Sequence, residues 1–320
     1  MDKTARIFVA GHRGMVGSAL VRRLQADGYI HVLTRTHAEL DLLDQAAVRR
    51  FFSDERIDAV LLAAARVGGI LANATQPADF IYQNLAIETN VIHAAYEAGV
   101  TRLVFFGSSC IYPKTCPQPI EETYLLSSPL EPTNEPYAIA KIAGLKMCEA
   151  YNRQYGTKFV ALMPTNLYGP NDNYDLRTSH VLPALIRKAH EAKLHGDNVL
   201  TVWGTGSPRR EFLHVDDLAD ATVFVLEREV TGGLLNVGVG TDLSICEIAH
   251  QVAQVVGFDG QIVFDTSKPD GTPRKLLDVS RLAGMGWRAR IGLREGIETT
   301  YREFVARFDK EREHALPGWR

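Results

Sequence analysis

An α/β fold is predicted, with a doubly wound parallel sheet and a smaller, discontinuous C-terminal α/β unit, on three observations. Short apolar runs alternate with longer amphipathic ones through the first half of the chain, the pattern of β–α–β units. A glycine-rich turn joins the first apolar run to the first amphipathic one. After Gly169 the alternation breaks into short elements punctuated by Pro170, Pro183, Pro208, Pro269 and Pro273.

The apolar runs predict strands at Arg6–Ala10, His31–Arg35, Ala59–Ala64, Leu103–Gly107 and Phe159–Met163. Helices are predicted over Val16–Asp27, Gln45–Ser53, Pro77–Ala98 and Pro136–Tyr155. The last is well punctuated, with Asn134 as N-cap, Pro136 in the first turn and Gly156 as the stop. Residues 1–169 therefore form one unit, joined by returning segments near 211–230 and 263–280, and the rest of 170–320 belongs mainly to the second.

A chain of 320 residues with 46% hydrophobic and 23% charged residues can bury a sizeable core, so disorder is not expected. A net charge of −3 gives no electrostatic reason to expect nucleic acid or an anionic membrane, and a small-molecule partner fits better. The chain enters a strand pattern at once, without an apolar signal core. Its longest apolar stretch, Ala59 to Ala74, is interrupted by Arg66 and is shorter than the roughly 20 residues a membrane span needs. Cys110, Cys116, Cys148 and Cys246 form no CxxC pair, so a reducing cytoplasm is expected and no metal site.

The turn after the first strand reads Gly11-His12-Arg13-Gly14-Met15-Val16-Gly17, with a helix directly behind it. Glycines there permit a tight turn, let backbone approach a pyrophosphate and allow close helix–strand packing, while the helix N-terminus faces the negative charge. Strand, glycine turn and helix together predict a Rossmann-type dinucleotide site. About 20 residues past the glycines an acid would accept from the ribose of NAD, whereas a base suits the 2′-phosphate of NADP. The chain has Arg35 and His37 there, and Arg13 adds a cation within the loop, which favours NADP(H); Glu39 lies close by.

Tyr137 and Lys141 are four apart at the start of a predicted helix and project from one face. An ammonium near a phenol stabilises phenolate and brings it toward acid–base use. The strand 103–107 ends in Gly107-Ser108-Ser109-Cys110, placing hydroxyls where open α/β sheets bind ligands.

These features, with the segments GHRGMVGSAL, AAARVGGILAN, FIYQN, GSSCIYP, EPTNEPYAIAKIAG, MPTNLYGPNDN, REFLHVDDLA and KPDGTPRKLLDV, resemble the GDP-L-fucose synthase family of extended short-chain dehydrogenase/reductases. The Gly-x-x-Gly-x-x-Gly spacing is the form found in that class. The resemblance implies an NADPH-dependent epimerase/reductase acting on GDP-4-keto-6-deoxy-D-mannose, working as a homodimer paired through the helices that follow the third strand and carry Tyr137. It implies that Ser108, Tyr137 and Lys141 serve hydride transfer and that Cys110 and His180 act as epimerisation base and acid. For the cofactor it implies, besides the glycine turn, Arg35 and His37, the adenine contacts Asp41 and Leu42, then Gly107, Ser108 and Lys141, the stretch Pro164-Thr165-Asn166-Leu167 over the nicotinamide, and His180. For the nucleotide sugar it implies Lys188, Trp203, Arg210 and Asp270, although Trp203 is equally suited to a core.

Two departures stand out: His37 replaces a second arginine and Lys188 replaces an arginine that would grip a diphosphate with paired bonds. Two rival readings are an epimerase or dehydratase that recycles tightly held NAD, and a non-catalytic NADP(H) sensor. An intact Ser108, Tyr137 and Lys141 argue against the sensor.

Overall fold

A computed structural model describes residues 1–314 apart from Thr231 and Pro269; Pro269, counted above among the breakers, lies outside the described residues. The first half runs β1 (Arg6–Ala10), α1 (Met15–Ala26), β2 (His31–Leu33), α2 (Gln45–Asp54), β3 (Ala59–Leu62), α3 (Ile70–Thr75), α4 (Pro77–Glu97), β4 (Arg102–Phe106), α5 (Glu135–Tyr155) and β5 (Lys158–Pro164). It continues with β6 (Asn166–Tyr168), α6 (Val181–His195), β7 (Val199–Trp203), β8 (Arg209–Arg210), β9 (Phe212–His214), α7 (Val215–Glu227) and β10 (Leu234–Val237). The end comprises β11 (Leu243–Ser244), α8 (Ile245–Val256), β12 (Gln261–Asp265), β13 (Arg274–Lys275), α9 (Ser280–Gly284) and α10 (Leu293–His314).

Among the described residues a six-stranded sheet has the order β10-β5-β4-β3-β1-β2, and every pairing in it is parallel. Its central strands are buried on both faces, which explains why they read as unbroken apolar runs. One face packs Val48, Phe52, Val91, Ile92, Leu145 and Cys148 from α2, α4 and α5. The other packs Leu20, Leu24, Leu218 and Val223 from α1 and α7. A third cluster joins α6, α8 and α10 around Ile186, Ile248 and Phe304, beside the parallel pair β7–β12.

The expected elements form with small shifts. His31 begins β2, but the strand stops at Leu33 because Thr34 and Arg35 leave the sheet for a turn in which Glu39 accepts from the Thr36 N–H at 2.7 Å. Gly156 ends α5 at φ 70° in the left-handed region. Asn134 occupies the N-cap position without capping: its backbone, at φ −127° and ψ 13°, is not extended, and its buried Oδ1 meets no donor.

Strand order reverses between β2 and β3 on either side of β1, so the crevice beyond the carboxyl ends of β1 and β3 is the switch point of the sheet. Beyond β3, Gly69 N–H donates to the Thr178 carbonyl at 3.0 Å. That bond ties the β3–α3 loop to the segment leading to His180.

Candidate active site

The glycine turn sits at the switch point. Gly11 has φ +84°, and a Cβ there would stand 2.7 Å from the Ala64 nitrogen, so any side chain is excluded twice over. A Cβ on Gly17 would fall 2.1 Å from the Gly11 carbonyl oxygen, which is how closely α1 packs on the turn. Gly14 is the N-cap of α1 and offers no side chain, so the N–H groups of Met15, Val16 and Gly17 have no intrahelical acceptor. An uncapped twelve-residue helix behind a turn bounded by Gly11 and Gly14 is suited to cradle a diphosphate. His12 is half-buried beside the turn and Arg13 exposed.

Arg35 is not a freely solvated loop residue. Its guanidinium lies 2.7 Å from Glu55 Oε1 and 5.1 Å from the centroid of the Phe51 ring. His37 is 82% exposed, with Nε2 3.6 Å from Asp41 Oδ1. That Asp41 oxygen also accepts from the Leu43 N–H at 2.9 Å, and Leu42 packs on the sheet core.

At the end of β4, Gly107 is buried where a Cβ would strike Met163, and Ser108 Oγ accepts from the Cys110 N–H at 3.4 Å. Cys110 is buried, and burial pushes its thiol pKa up, while the Lys275 ammonium pulls it back. Tyr137 and Lys141 share the inner face of α5. The Lys141 Nζ lies 5.9 Å from the Tyr137 ring centroid, and Phe80 meets that ring edge-on at 6.2 Å.

The expectation that Lys141 eases Tyr137 toward phenolate is not met in this geometry. Burial, then the charges of Cys110 and Glu88, hold the phenol well above its ordinary range. Lys141 is instead engaged with Glu88 of α4 at 2.8 Å, and both side chains are buried.

His180 is the N-cap of α6, and water reaches it although protein crowds it. That crowding, and then the Lys275 ammonium, pull its pKa down. Lys275, on β13, itself has its pKa lowered by burial and senses Cys110 and Arg210. Cys110, His180 and Arg210 therefore all interact electrostatically with one ammonium that sequence reasoning did not single out, although it lies within the KPDGTPRKLLDV segment. Its signal was a second basic residue following Arg274 on a two-residue strand.

The remaining candidates line the far side. Arg210 is half-buried, and its Nη1 donates to the Arg209 carbonyl at 2.8 Å. Asp270 is fastened to the β7–β8 turn, its two oxygens accepting from Thr205 N–H at 2.9 Å and Thr205 Oγ1 at 2.7 Å. Trp203 belongs to no core: it is 62% exposed and flanked by the ammoniums of Lys188 and Lys268, 5.1 and 5.5 Å from the ring. Pro164 ends β5, while Thr165 Oγ1 and Asn166 Nδ2 both donate to the Glu211 carbonyl, at 3.2 and 2.8 Å; Leu167 follows in β6.

Glu88 was also missed, and its signal was legible. Phe80, Asn84, Glu88, Val91, Ile92 and Ala95 recur at helical spacing on the buried face of α4, so a carboxylate stands within an apolar stripe.

A parallel sheet with a glycine cradle at its switch point, and a Ser–Tyr–Lys set beside it, defines a nucleotide-dependent short-chain dehydrogenase of the extended type. Residues 7–238 match the NAD dependent epimerase/dehydratase family, and the chain belongs to it. Within that class it belongs to the GDP-L-fucose synthase family. It is 60% identical to GDP-L-fucose synthase 1 of Arabidopsis thaliana, over 94% of this chain and 93% of that one. To GDP-L-fucose synthase of Escherichia coli strain K12 it is 56% identical, over 96% and 98%. Among solved structures, a GDP-mannoheptose C4 reductase from Campylobacter jejuni with NADP bound superposes with a TM-score of 0.87 at 40% identity, covering 95% of this chain and 99% of that chain.

Proposed function

We propose that the chain catalyses the GDP-L-fucose synthase reaction, 3,5-epimerisation of GDP-4-keto-6-deoxy-D-mannose followed by NADPH-dependent reduction at C4. What supports this reading is that Cys110 and His180 both feel the Lys275 ammonium, and that Cys110 also acts electrostatically on the Tyr137 phenol. This supports Cys110 and His180 as base and acid for proton exchange, with Tyr137 as the proton donor for reduction.

The N–H groups opening α1 hold the cofactor diphosphate, and Arg13, with Arg35 swung from Glu55, meets a 2′-phosphate; His37 lies alongside. Asp41 and Leu42 border the adenine, and Pro164–Leu167 cover the nicotinamide. Bound there, NADPH supplies the hydride that C4 receives.

Protons on C3 and C5 flank the C4 carbonyl, so removing either leaves an enolate whose oxygen accepts hydrogen bonds from Ser108 and Tyr137. Cys110 thiolate removes the proton from one face, with Lys275 stabilising the thiolate, and His180 returns one to the other face. At the reduction step Tyr137 gives its proton to the C4 oxygen. Lys141 holds the nicotinamide ribose. Arg210 and Lys188 take the diphosphate of the sugar nucleotide, with Trp203 and Asp270 at its base and ribose.

Residues 1–169 with the returning chain carry the cofactor side, and most of 170–320 the substrate side. Exposed Tyr82 on α4 and Ile139 and Tyr155 on α5 support pairing of two copies across these helices. Four free cysteines suit a reducing cytoplasm. No described helix is long and apolar enough to cross a membrane.

The test is NADPH oxidation with GDP-4-keto-6-deoxymannose in D₂O, with product stereochemistry and deuterium content determined. Stoichiometric oxidation to GDP-L-fucose carrying deuterium at C3 and C5 is expected. In Cys110→Ser, deuterium incorporation should fall by a factor of about 100 or more, because a serine hydroxyl does not ionise near neutral pH and so offers no anion to take the proton, whereas a thiol does. Burial raises the thiol pKa in the free site, so wild-type exchange should climb with pH as thiolate grows. Folded protein that neither oxidises NADPH nor exchanges deuterium would remove the assignment.

A further inference from the structure

Strands β8 and β13 are two residues each and lie side by side in parallel, with Arg274 opposite Arg209 and Lys275 opposite Arg210. Adjacent strands run about 4.8 Å apart, so both registers of the pair set cation against cation, which by itself drives the strands apart. Side chains alternate between the faces of a sheet, so Arg209 and Arg274 share one face and Arg210 and Lys275 the other.

The first face is neutralised by one buried carboxylate. Asp242, on the loop after β10, has a side chain only 5% exposed; its Oδ1 accepts from Arg209 Nε at 2.9 Å and its Oδ2 from Arg274 Nε. Its carbonyl takes a further bond from Arg209 Nη2 at 2.8 Å. Glu247 on α8 adds a longer contact to Arg209, 3.5 Å, from the surface. Burial alone would raise the Asp242 pKa, but the bonds from Arg274 and Arg209 outweigh it and hold the carboxyl below its ordinary range, so Asp242 is an anion at neutral pH. The second face has no such counter-ion. Asp270 acts on Arg210 and Glu131 on Lys275 electrostatically, but among the described residues neither closes an ion pair, and Arg210 repels Lys275.

We propose that Asp242 is a positioning residue for the substrate site: by gripping Arg209 and Arg274 on the outer face of β8 and β13, it holds Arg210 and Lys275 side by side on the inner face, where one meets a diphosphate and the other the Cys110 thiolate. This rests on the reading of Arg210 as a diphosphate ligand and of Lys275 as the cation that stabilises the thiolate. Lys275 is faced by Cys110, Arg210, Glu131 and Cys116. Besides Lys275, Lys141 from α5 acts on Cys110, and Cys110 in turn acts on Tyr137. Asp242 is not among these groups and works through the two strands. Glu211, next to Arg210, still binds the N–H groups of Val239, Gly240 and Leu277 when Asp242 is altered, so the surrounding chain stays tied.

The test compares wild type with Asp242→Asn and Asp242→Ala, each as the full chain. GDP and NADPH affinities are read by calorimetry, and deuterium exchange into GDP-4-keto-6-deoxymannose is followed against pH with NADP⁺ in place of NADPH. An asparagine oxygen still accepts from one arginine, but its NH₂ faces the other with donor against donor. GDP affinity should fall about tenfold in Asp242→Asn and further in Asp242→Ala. NADPH affinity should stay within about twofold of wild type, since the cradle is a separate site. Lys275, no longer held, gives up part of its pull on the Cys110 thiol, so the rise of exchange with pH should move up by about half a pH unit or more. Wild-type GDP affinity or an unmoved exchange profile in Asp242→Asn, whatever its loss of stability, would overturn the proposal, as would an equal loss of NADPH affinity.

Should both variants fail to fold, Arg274→Gln and Arg209→Gln decide, since those side chains are 44% and 42% exposed and each change frees one strand. The first should move the exchange profile and the second should weaken GDP binding; absence of either effect would overturn the proposal. Wild type that binds GDP without turning over the sugar nucleotide would strike the assigned reaction alone, and the GDP titrations would still decide on Asp242. Wild type that binds no GDP would overturn the proposal.

Discussion

Tyr137→Phe should lower NADPH oxidation by a factor of about 1,000 or more, within the range that loss of a positioned general acid produces. Deuterium exchange at C3 and C5 should fall far less, because Ser108, the proposed second donor to the enolate, and Cys110 and His180, the proposed base and acid, remain. NADPH binding, read by quenching or by calorimetry, should change little, since the cradle at Gly11–Gly17 lies between β1 and α1, whereas Tyr137 is on α5. The split matters more than the size of the loss: a variant that loses oxidation and keeps exchange separates the two half-reactions within one site. Equal loss of both would mean that Tyr137 serves the enolate chiefly, or that its ring, packed edge-on against Phe80, holds the site together.

Glu211→Ala should destabilise the fold by about 3–5 kcal/mol, measured by urea denaturation, although Glu211 touches none of the reacting groups. Its side chain is wholly buried. Oε1 accepts from the N–H groups of Val239 and Gly240 at 2.6 and 2.7 Å, and Oε2 from Leu277 N–H at 3.0 Å. Truncation would leave three buried donors unpaired and open a void against Gly238, where even a Cβ would come within 2.3 Å of Oε1. Glu211→Gln should recover about half of the loss, because an amide oxygen still accepts from Val239 and Gly240 while its NH₂ faces the Leu277 donor. Since Thr165 and Asn166 donate to the Glu211 carbonyl, kcat should fall in the truncated variant beyond what its folded fraction explains.

The sheet was legible because its strands are buried on both faces and therefore read as apolar runs, and because β–α–β order leaves little choice of topology. Gly11 and Gly17 were legible since steric exclusion there is a property of residue type. Tyr137 and Lys141 announced themselves through spacing on one helix. What composition and spacing did not give was how charges pair across elements distant in sequence. Arg35 looked like a cation free to meet a phosphate, and it rests on Glu55. Lys141 looked like the partner of Tyr137, and its nearest charge is Glu88, from another helix. Asn134 had the right identity for a cap, but the backbone at that position denies its side chain the geometry. Lys275 acts electrostatically on Cys110 and His180 from β13, which pairs in parallel with β8, a contact with 63 intervening residues that no local pattern encodes.

The Gly69–Thr178 bond ties the chain leading to His180 to the loop that follows β3. His180 is carried by a segment whose backbone is stitched to the loop following β3, so widening the mouth to admit a nucleotide sugar, if it parts that stitch, also withdraws the proposed proton donor from its place. Admission and protonation would then be mutually exclusive states of one hinge, and an enolate formed inside would meet its acid only once the door is shut.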